Sequence, residues 1–149
     1  MKNEPGLRAG IVESGQVESS FPELIPSIRR IIFEDGGFFG GYRRTAVHFS
    51  GDKALFDVEK TIGTAPDEAL GRCAEMAKSE FLAEVRQLHI EQWAKNYRSP
   101  DLDGEQWTLE IRFSGGRRPL KIEGSNAFPP NFENLQRPMA PKKDRAGKA

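Results

Sequence analysis

The sequence predicts an α+β domain in which an antiparallel sheet of about five strands packs on one long helix. Two segments, 28–60 and 106–123, carry apolar residues at alternate positions, which is typical of strands. Between them, residues 64–88 carry apolar residues at spacings of three and four, which is typical of an amphipathic helix. The predicted order is therefore β-β-β-α-β-β, with the helix covering the apolar face of the sheet.

The first segment predicts three strands joined by turns. Glycine-rich sequence separates the first strand from the second, and Ser-Gly-Asp-Lys separates the second from the third. The first turn also contains Phe38 and Phe39. The sequence is compatible with burial of both side chains under the sheet and equally with their exposure as a contact patch. The predicted strands are 28–34, 42–50 and 54–60.

The helix is predicted to begin near Thr64, a suitable N-cap residue, with Pro66 tolerated in the first turn. Its regular spacing ends near His89. Trp93 and Tyr97 are expected on a last turn or on a short separate helix. The residues predicted to face the sheet are Leu70, Cys73, Ala74, Ala77, Phe81, Val85 and Leu88.

The second segment predicts a terminal hairpin whose turn contains Gly115 and Gly116. Trp107 begins the apolar face of its first strand, and Asn126 follows its second strand. Because hairpin pairing places the start of one strand beside the end of the other, we expect Trp107 to lie close to residues 124–126. We predict that Asn126 holds this structural corner through hydrogen bonds to backbone.

The same segment carries the pattern W-x-L-x-I-x-F-x-x-G followed by K-I-x-G-S-N-A-F-P-x-N-F. This pattern resembles the C-terminal part of a family of small uncharacterised bacterial proteins, which also carry a Trp and a Tyr upstream of an Asp-Gly pair. Trp93, Tyr97, Asp103 and Gly104 match those positions. The similarity covers residues 88–135 and implies no activity.

Composition predicts one domain of ordinary size. The 149 residues include 22 basic and 22 acidic side chains, so net charge does not direct the chain toward nucleic acid or an anionic membrane. No apolar run approaches the roughly 20 residues needed to cross a bilayer. The single cysteine and the polar N-terminus predict a cytoplasmic protein. The predicted organisation is a flexible arm over 1–20, a domain over 21–136 and a disordered basic tail over 137–149.

Candidate partner-contact residues cluster around the glycine-rich turn. Aromatic side chains are followed there by basic ones, without any motif for phosphate binding, because a strand and not a helix follows the glycines. These residues are Phe38, Phe39, Tyr42, Arg43 and Arg44.

Arginine pairs are the candidates for nucleic-acid contact. If the first two strands pair, we expect Arg29 and Arg30 to lie near Arg43 and Arg44 at one end of the sheet, close to aromatic residues. The balanced charge favours instead a solvated, mixed-charge surface. The residues proposed for this role are Arg29, Arg30, Arg117, Arg118, Lys142 and Lys143.

Catalytic and metal-binding signatures are not recognised in this sequence. His48 and His89 fall in different predicted elements and lack further ligands at metal-binding spacing. Cys73 fits a small core residue better than a nucleophile. We therefore predict no cofactor and a non-enzymatic cytoplasmic domain that binds an unidentified protein partner. The alternatives are a nucleic-acid-associated protein, a phage or mobile-element inhibitor of a larger complex, and an enzyme with an unrecognised site.

Overall fold

The computed structural model describes residues 12–37, 41–60, 74–99, 105–129, 131–135 and 139. Within these ranges the chain forms one mixed sheet of eight strands, in the spatial order β1-β6-β8-β7-β2-β3-β4-β5. Neighbouring strands are antiparallel except β6 and β8, which are parallel. The strands are β1 (Val12–Gln16), β2 (Ile28–Gly37), β3 (Gly41–Ser50), β4 (Lys53–Lys60), β5 (Ala74–Ala77), β6 (Ala94–Arg98), β7 (Glu105–Phe113) and β8 (Leu120–Ser125).

The described helical segments pack on one face of the sheet, here called the core face. Phe81 lies 5.7 Å from Phe56, ring centroid to ring centroid. Phe21 meets Phe113 in the same way at 6.5 Å. These edge-on contacts are the preferred geometry of aromatic pairs. The helices are α1 (Phe21–Leu24) and α2 (Lys78–Arg86), with 3₁₀ turns at Ile25–Ser27, Ile90–Gln92 and Phe132–Leu135.

Strand register explains which residues form the core. Ile31 of β2 lies opposite Val47 of β3 and Ile111 of β7, and all three are nearly or fully buried. Because successive side chains of a strand point to opposite faces, the apolar residues at alternate positions from these three reach the core face with them. Burial of this apolar surface is the main stabilising contribution to the fold.

The predicted arrangement of five antiparallel strands on one long helix is wrong. The sheet has eight strands and is mixed, and α2 spans only Lys78–Arg86. Ala74–Ala77, predicted to be helical, forms strand β5, where Met76 lies opposite Ala54. Alanine and methionine at these positions fit either spacing, so pairing with the edge of β4 decided the conformation. Residues 64–73 of the predicted helix lie outside the described residues.

The N-terminal segment also differs from the expectation of a flexible arm over 1–20. Val12–Gln16 pairs with Ala94–Arg98, and Val17 is fully buried. All five residues of β1 are exposed, so the strand has no alternating apolar pattern to reveal it. Its backbone hydrogen bonds to β6 hold it in the sheet.

The segment containing Trp93 and Tyr97 was expected on a last helical turn or a short helix, yet Ala94–Arg98 is strand β6. Met139, inside the predicted tail over 137–149, is buried in the core. The other residues of that tail lie outside the part of the chain that the structure describes.

Candidate functional site

The face of the sheet opposite the core face, here called the open face, is covered by none of the described helices and carries mostly polar side chains. On this face Glu34 of β2 lies between Arg44 of β3 and Thr108 of β7. Glu59 of β4 lies beyond Arg44, and Glu123 of β8 lies beyond Thr108. Arg44 Nε lies 3.4 Å from Glu34 Oε2. The open face is therefore a broad, charged surface that the sheet holds in fixed register.

A shallow cavity of about 230 Å³ lies on the open face over strands β6, β8 and β7. We call it the polar depression. Asn96 Nδ2 donates a hydrogen bond to Glu123 Oε2 at 3.1 Å, which orders both side chains at its edge. The polar side chains that line it belong to Asn96, Arg98, Gln106, Thr108, Glu123 and Ser125.

The floor of the polar depression is supported by close packing at Gly124 on the core face. A Cβ atom at this position would collide with the Trp107 indole and lie only 2.6 Å from the Ala127 carbonyl oxygen. Trp107 Nε1 donates to that carbonyl at 3.0 Å, which satisfies the buried indole N–H. Glycine at 124 thus allows the indole to lie against the β8 backbone.

Asn126 holds the chain where it leaves β8. Its backbone is left-handed, with φ of 56°, a conformation that asparagine tolerates better than most residues. Its side-chain Oδ1 accepts from the Glu105 amide at 2.9 Å, and its own amide donates to the Glu105 carbonyl at 2.8 Å. Trp107 lies opposite Gly124, so the predicted corner residues are close together in the folded chain.

Tyr42 extends the polar depression across the sheet. It lies opposite Gly36, where an added Cβ would be 2.6 Å from the tyrosine Cδ1, so the ring lies over the glycine. Gly36 in turn lies opposite Gln106, Gln106 opposite Ser125, and Ser125 opposite Arg98. Tyr42 is 45% exposed. At the usual strand spacing these five positions form a strip roughly 19 Å long, here called the polar strip.

The arginine pairs do not gather where the sequence predicted. Arg30 lies opposite His48, whereas Arg44 lies opposite Glu34, four residues further along β2. At about 3.3 Å per residue, Arg30 and Arg44 are separated by roughly 13 Å along the strands. The expectation that Arg29 and Arg30 lie beside Arg43 and Arg44 is therefore wrong, because antiparallel pairing places the two sets toward opposite ends of the hairpin.

Arg30 lies instead opposite Arg112, at the end of the sheet where the β7–β8 hairpin turns. The Ser114 amide donates to the Ser27 carbonyl at 2.9 Å and fixes the hairpin beside the start of β2. We call this surface the basic end. Its residues are Arg29, Arg30, Arg112, Arg117, Arg118 and Lys121.

Asp35 and Glu105 form a carboxyl pair that sequence reasoning missed. Burial, followed by the charge of Asp35 and a hydrogen bond that the protonated Glu105 donates to it, raises the pKa of Glu105 above its ordinary value. Arg43 lies opposite Asp35 across β2 and β3. The sequence does place Asp35 near the end of one predicted strand and Glu105 just before another. Only the pairing of β2 with β7 shows that these two carboxyl groups are neighbours.

The remaining candidate residues fall in several places. Phe38, Phe39, Cys73, Lys142 and Lys143 lie outside the described residues. His48 lies on β3, while His89 follows α2 and its Nδ1 lies 3.1 Å from Glu91 Oε2. Among the residues with described positions, no three His, Cys, Asp or Glu side chains form a group able to hold a metal ion.

Comparisons with protein-family models, curated proteins and solved structures give no significant match to this chain. A search of the described helices finds none with the length and apolar character required to cross a membrane.

Proposed function

We propose that this chain is a non-enzymatic domain that binds another protein through the open face of its sheet. The observation that carries the proposal is the polar strip, in which an exposed tyrosine and a polar depression occupy one row of aligned side chains. Tyrosine offers contact area at low entropic cost, and amide and hydroxyl groups supply hydrogen bonds, as in known protein interfaces.

The charges around the polar strip favour a protein over a polyanion at this position. Arg44 and Arg98 are accompanied by three carboxylates on the same part of the open face, those of Glu34, Glu59 and Glu123. A nucleic-acid backbone carries continuous negative charge and meets repulsion there. A protein surface of mixed charge is able to complement both signs.

Inhibition of a larger complex is a second form of the same proposal. An inhibitor that acts by occlusion needs a rigid binding surface and no chemistry of its own, and the polar strip supplies such a surface. Adding the chain to its captured partner and measuring that partner's activity distinguishes an inhibitor from a simple binding module.

Site-specific photo-crosslinking in the native host tests the proposal. A photoreactive amino acid replaces exposed Thr108 beside the polar strip, and in a matched control it replaces exposed Glu133, on the core-face side of the molecule. We expect a discrete protein adduct from position 108, weaker when Tyr42→Ala is added, and no such adduct from position 133. Equal adducts from both positions, or adducts to nucleic acid only, contradict the proposal.

A further inference from the structure

The basic end contains two arginines that the sheet holds face to face. Arg30 and Arg112 occupy directly opposite positions on β2 and β7, and both project from the open face. Opposite residues of paired strands have their Cβ atoms about 5 Å apart, and like charges at this distance repel each other. The repulsion is relieved when an anion lies between or above the two guanidinium groups.

Carboxylates of the chain compensate this charge only in part. Arg112 Nε is paired with Glu110 Oε2 at 2.9 Å. Arg30 has no ion pair within the described part of the chain, and its Nε is buried without a hydrogen-bond partner. A buried donor that makes no hydrogen bond is unfavourable, so Arg30 is a cation without compensation from its described surroundings.

The β7–β8 hairpin adds further positive charge beside these arginines. Arg117 and Arg118 lie in its exposed turn, and the turn is fixed to the start of β2 through Ser114 and Ser27. Arg117 Nη1 lies 3.6 Å from Glu18 Oε1, a long and exposed ion pair that contributes little. The named basic groups therefore exceed the carboxylates paired with them, in a chain whose total charge is zero.

We propose that the basic end binds an acidic segment of the protein partner, with Arg30 and Arg112 as the principal contacts to its carboxylates. The inference rests on the proposed function and names the chemistry of the partner. Paired guanidinium groups match carboxylate oxygens in charge and in hydrogen-bond geometry. Charge complementarity of this kind speeds association and selects the partner.

Single-stranded nucleic acid fits the basic end less well. Binding of single strands combines cations with aromatic side chains on which bases stack. The large exposed aromatic residues of the described ranges are Tyr42 and Phe128, and both lie toward the opposite end of the sheet, near Gly36 and Trp107. A long polyanion also meets the carboxylates beside the polar strip, roughly 13 Å along the strands from Arg30.

Fluorescence anisotropy on the full chain tests the inference with two labelled probes, an all-glutamate peptide and an oligothymidylate of equal charge. The double variant Arg30→Gln/Arg112→Gln removes the principal contacts. Its matched control, Arg86→Gln/Lys95→Gln, removes the same charge from exposed positions outside the basic end and the polar strip. Thermal melting of both variants verifies that they fold.

We expect the peptide to bind in a salt-dependent manner and its Kd to rise roughly tenfold or more in the first variant, with little change in the control. Equal weakening in both variants overturns the inference, because it shows attraction to charge alone. Absence of peptide binding at low salt also overturns the inference. It is likewise overturned if the oligothymidylate binds more tightly than the peptide and its binding is weakened by the Arg30→Gln/Arg112→Gln substitutions.

The two proposals fail in distinguishable ways. A protein adduct at position 108 without peptide binding overturns the acidic-segment inference and leaves the proposed function standing. Peptide binding without any adduct supports the basic end as an anion site and overturns the assignment of the polar strip.

Discussion

Single residues determine the geometry of the corner beside the polar depression. Asn126 adopts a left-handed backbone and bonds both polar groups of the Glu105 backbone, while Gly124 admits the Trp107 indole against β8. Each of these residues has a property that few others share, either tolerance of positive φ or absence of a Cβ atom. The corner therefore depends on residue identity more than the surrounding sheet does.

Asn126→Ala is expected to lower the free energy of unfolding by about 1–2 kcal/mol, because it leaves the Glu105 amide without its acceptor. Urea denaturation measures the change. Asn126→Asp, which keeps a side-chain oxygen, serves as the control and should lose less. An Asn126→Ala protein of unchanged stability that no longer binds its partner shows instead that the corner contacts the partner directly.

Glu105→Gln is expected to increase stability at neutral pH. Burial and Asp35 raise the pKa of Glu105, so the folded chain favours the protonated carboxyl. The stability that the protonated Glu105 contributes is fully present below the pKa of Glu105 in the unfolded chain. It is lost as pH rises through the higher pKa of Glu105 in the folded chain. The stability of the variant should equal that of the wild type below about pH 4 and exceed it at higher pH.

Thermal melting across this pH range measures the effect of Glu105→Gln. Glu133→Gln, a substitution at an exposed position, should leave the pH dependence as it is. A Glu105→Gln protein that is less stable than the wild type at neutral pH contradicts the assigned cause, since it shows that the ionised carboxylate is stabilising.

At the scale of elements, the strands at and near the sheet edges depend on partners far away in sequence. β1 pairs with β6, whose residues follow it by about 80 positions, and β6 then pairs in parallel with β8. The burial pattern of β6 places Ala94 and Tyr97 inward, a spacing of three that resembles a helix. Backbone pairing, and not side-chain periodicity, made these segments strands.

Removal of the N-terminal segment tests the contribution of β1. A chain that begins at residue 18 lacks β1 and the fully buried Val17, and should lose about 1.5–3 kcal/mol or more compared with a chain that begins at residue 12. Chemical denaturation of the two truncated chains measures the difference. Equal stability would support a dispensable arm over 1–20 after all.

At the scale of the whole molecule, the arrangement of charge defines the two proposed surfaces. The chain is neutral overall, but the sheet separates an arginine-rich end of the open face from the end beside the polar strip, where arginines and carboxylates are mixed. Composition alone suggested a uniformly mixed surface. The antiparallel register produces the separation, because residues distant in sequence become neighbours only when the strands pair.

The sequence by itself determined the central strands and the helix near Phe81, since alternating and helical spacings report burial on one side of a local element. It also placed Trp107 near Asn126, because a tight hairpin defines its own register. Only the tertiary structure made β1, β5 and β6 strands. Only the tertiary structure placed Arg30 opposite Arg112. Those outcomes depend on hydrogen bonds between strands far apart in the chain, and such bonds leave no periodic pattern in the residues that form them.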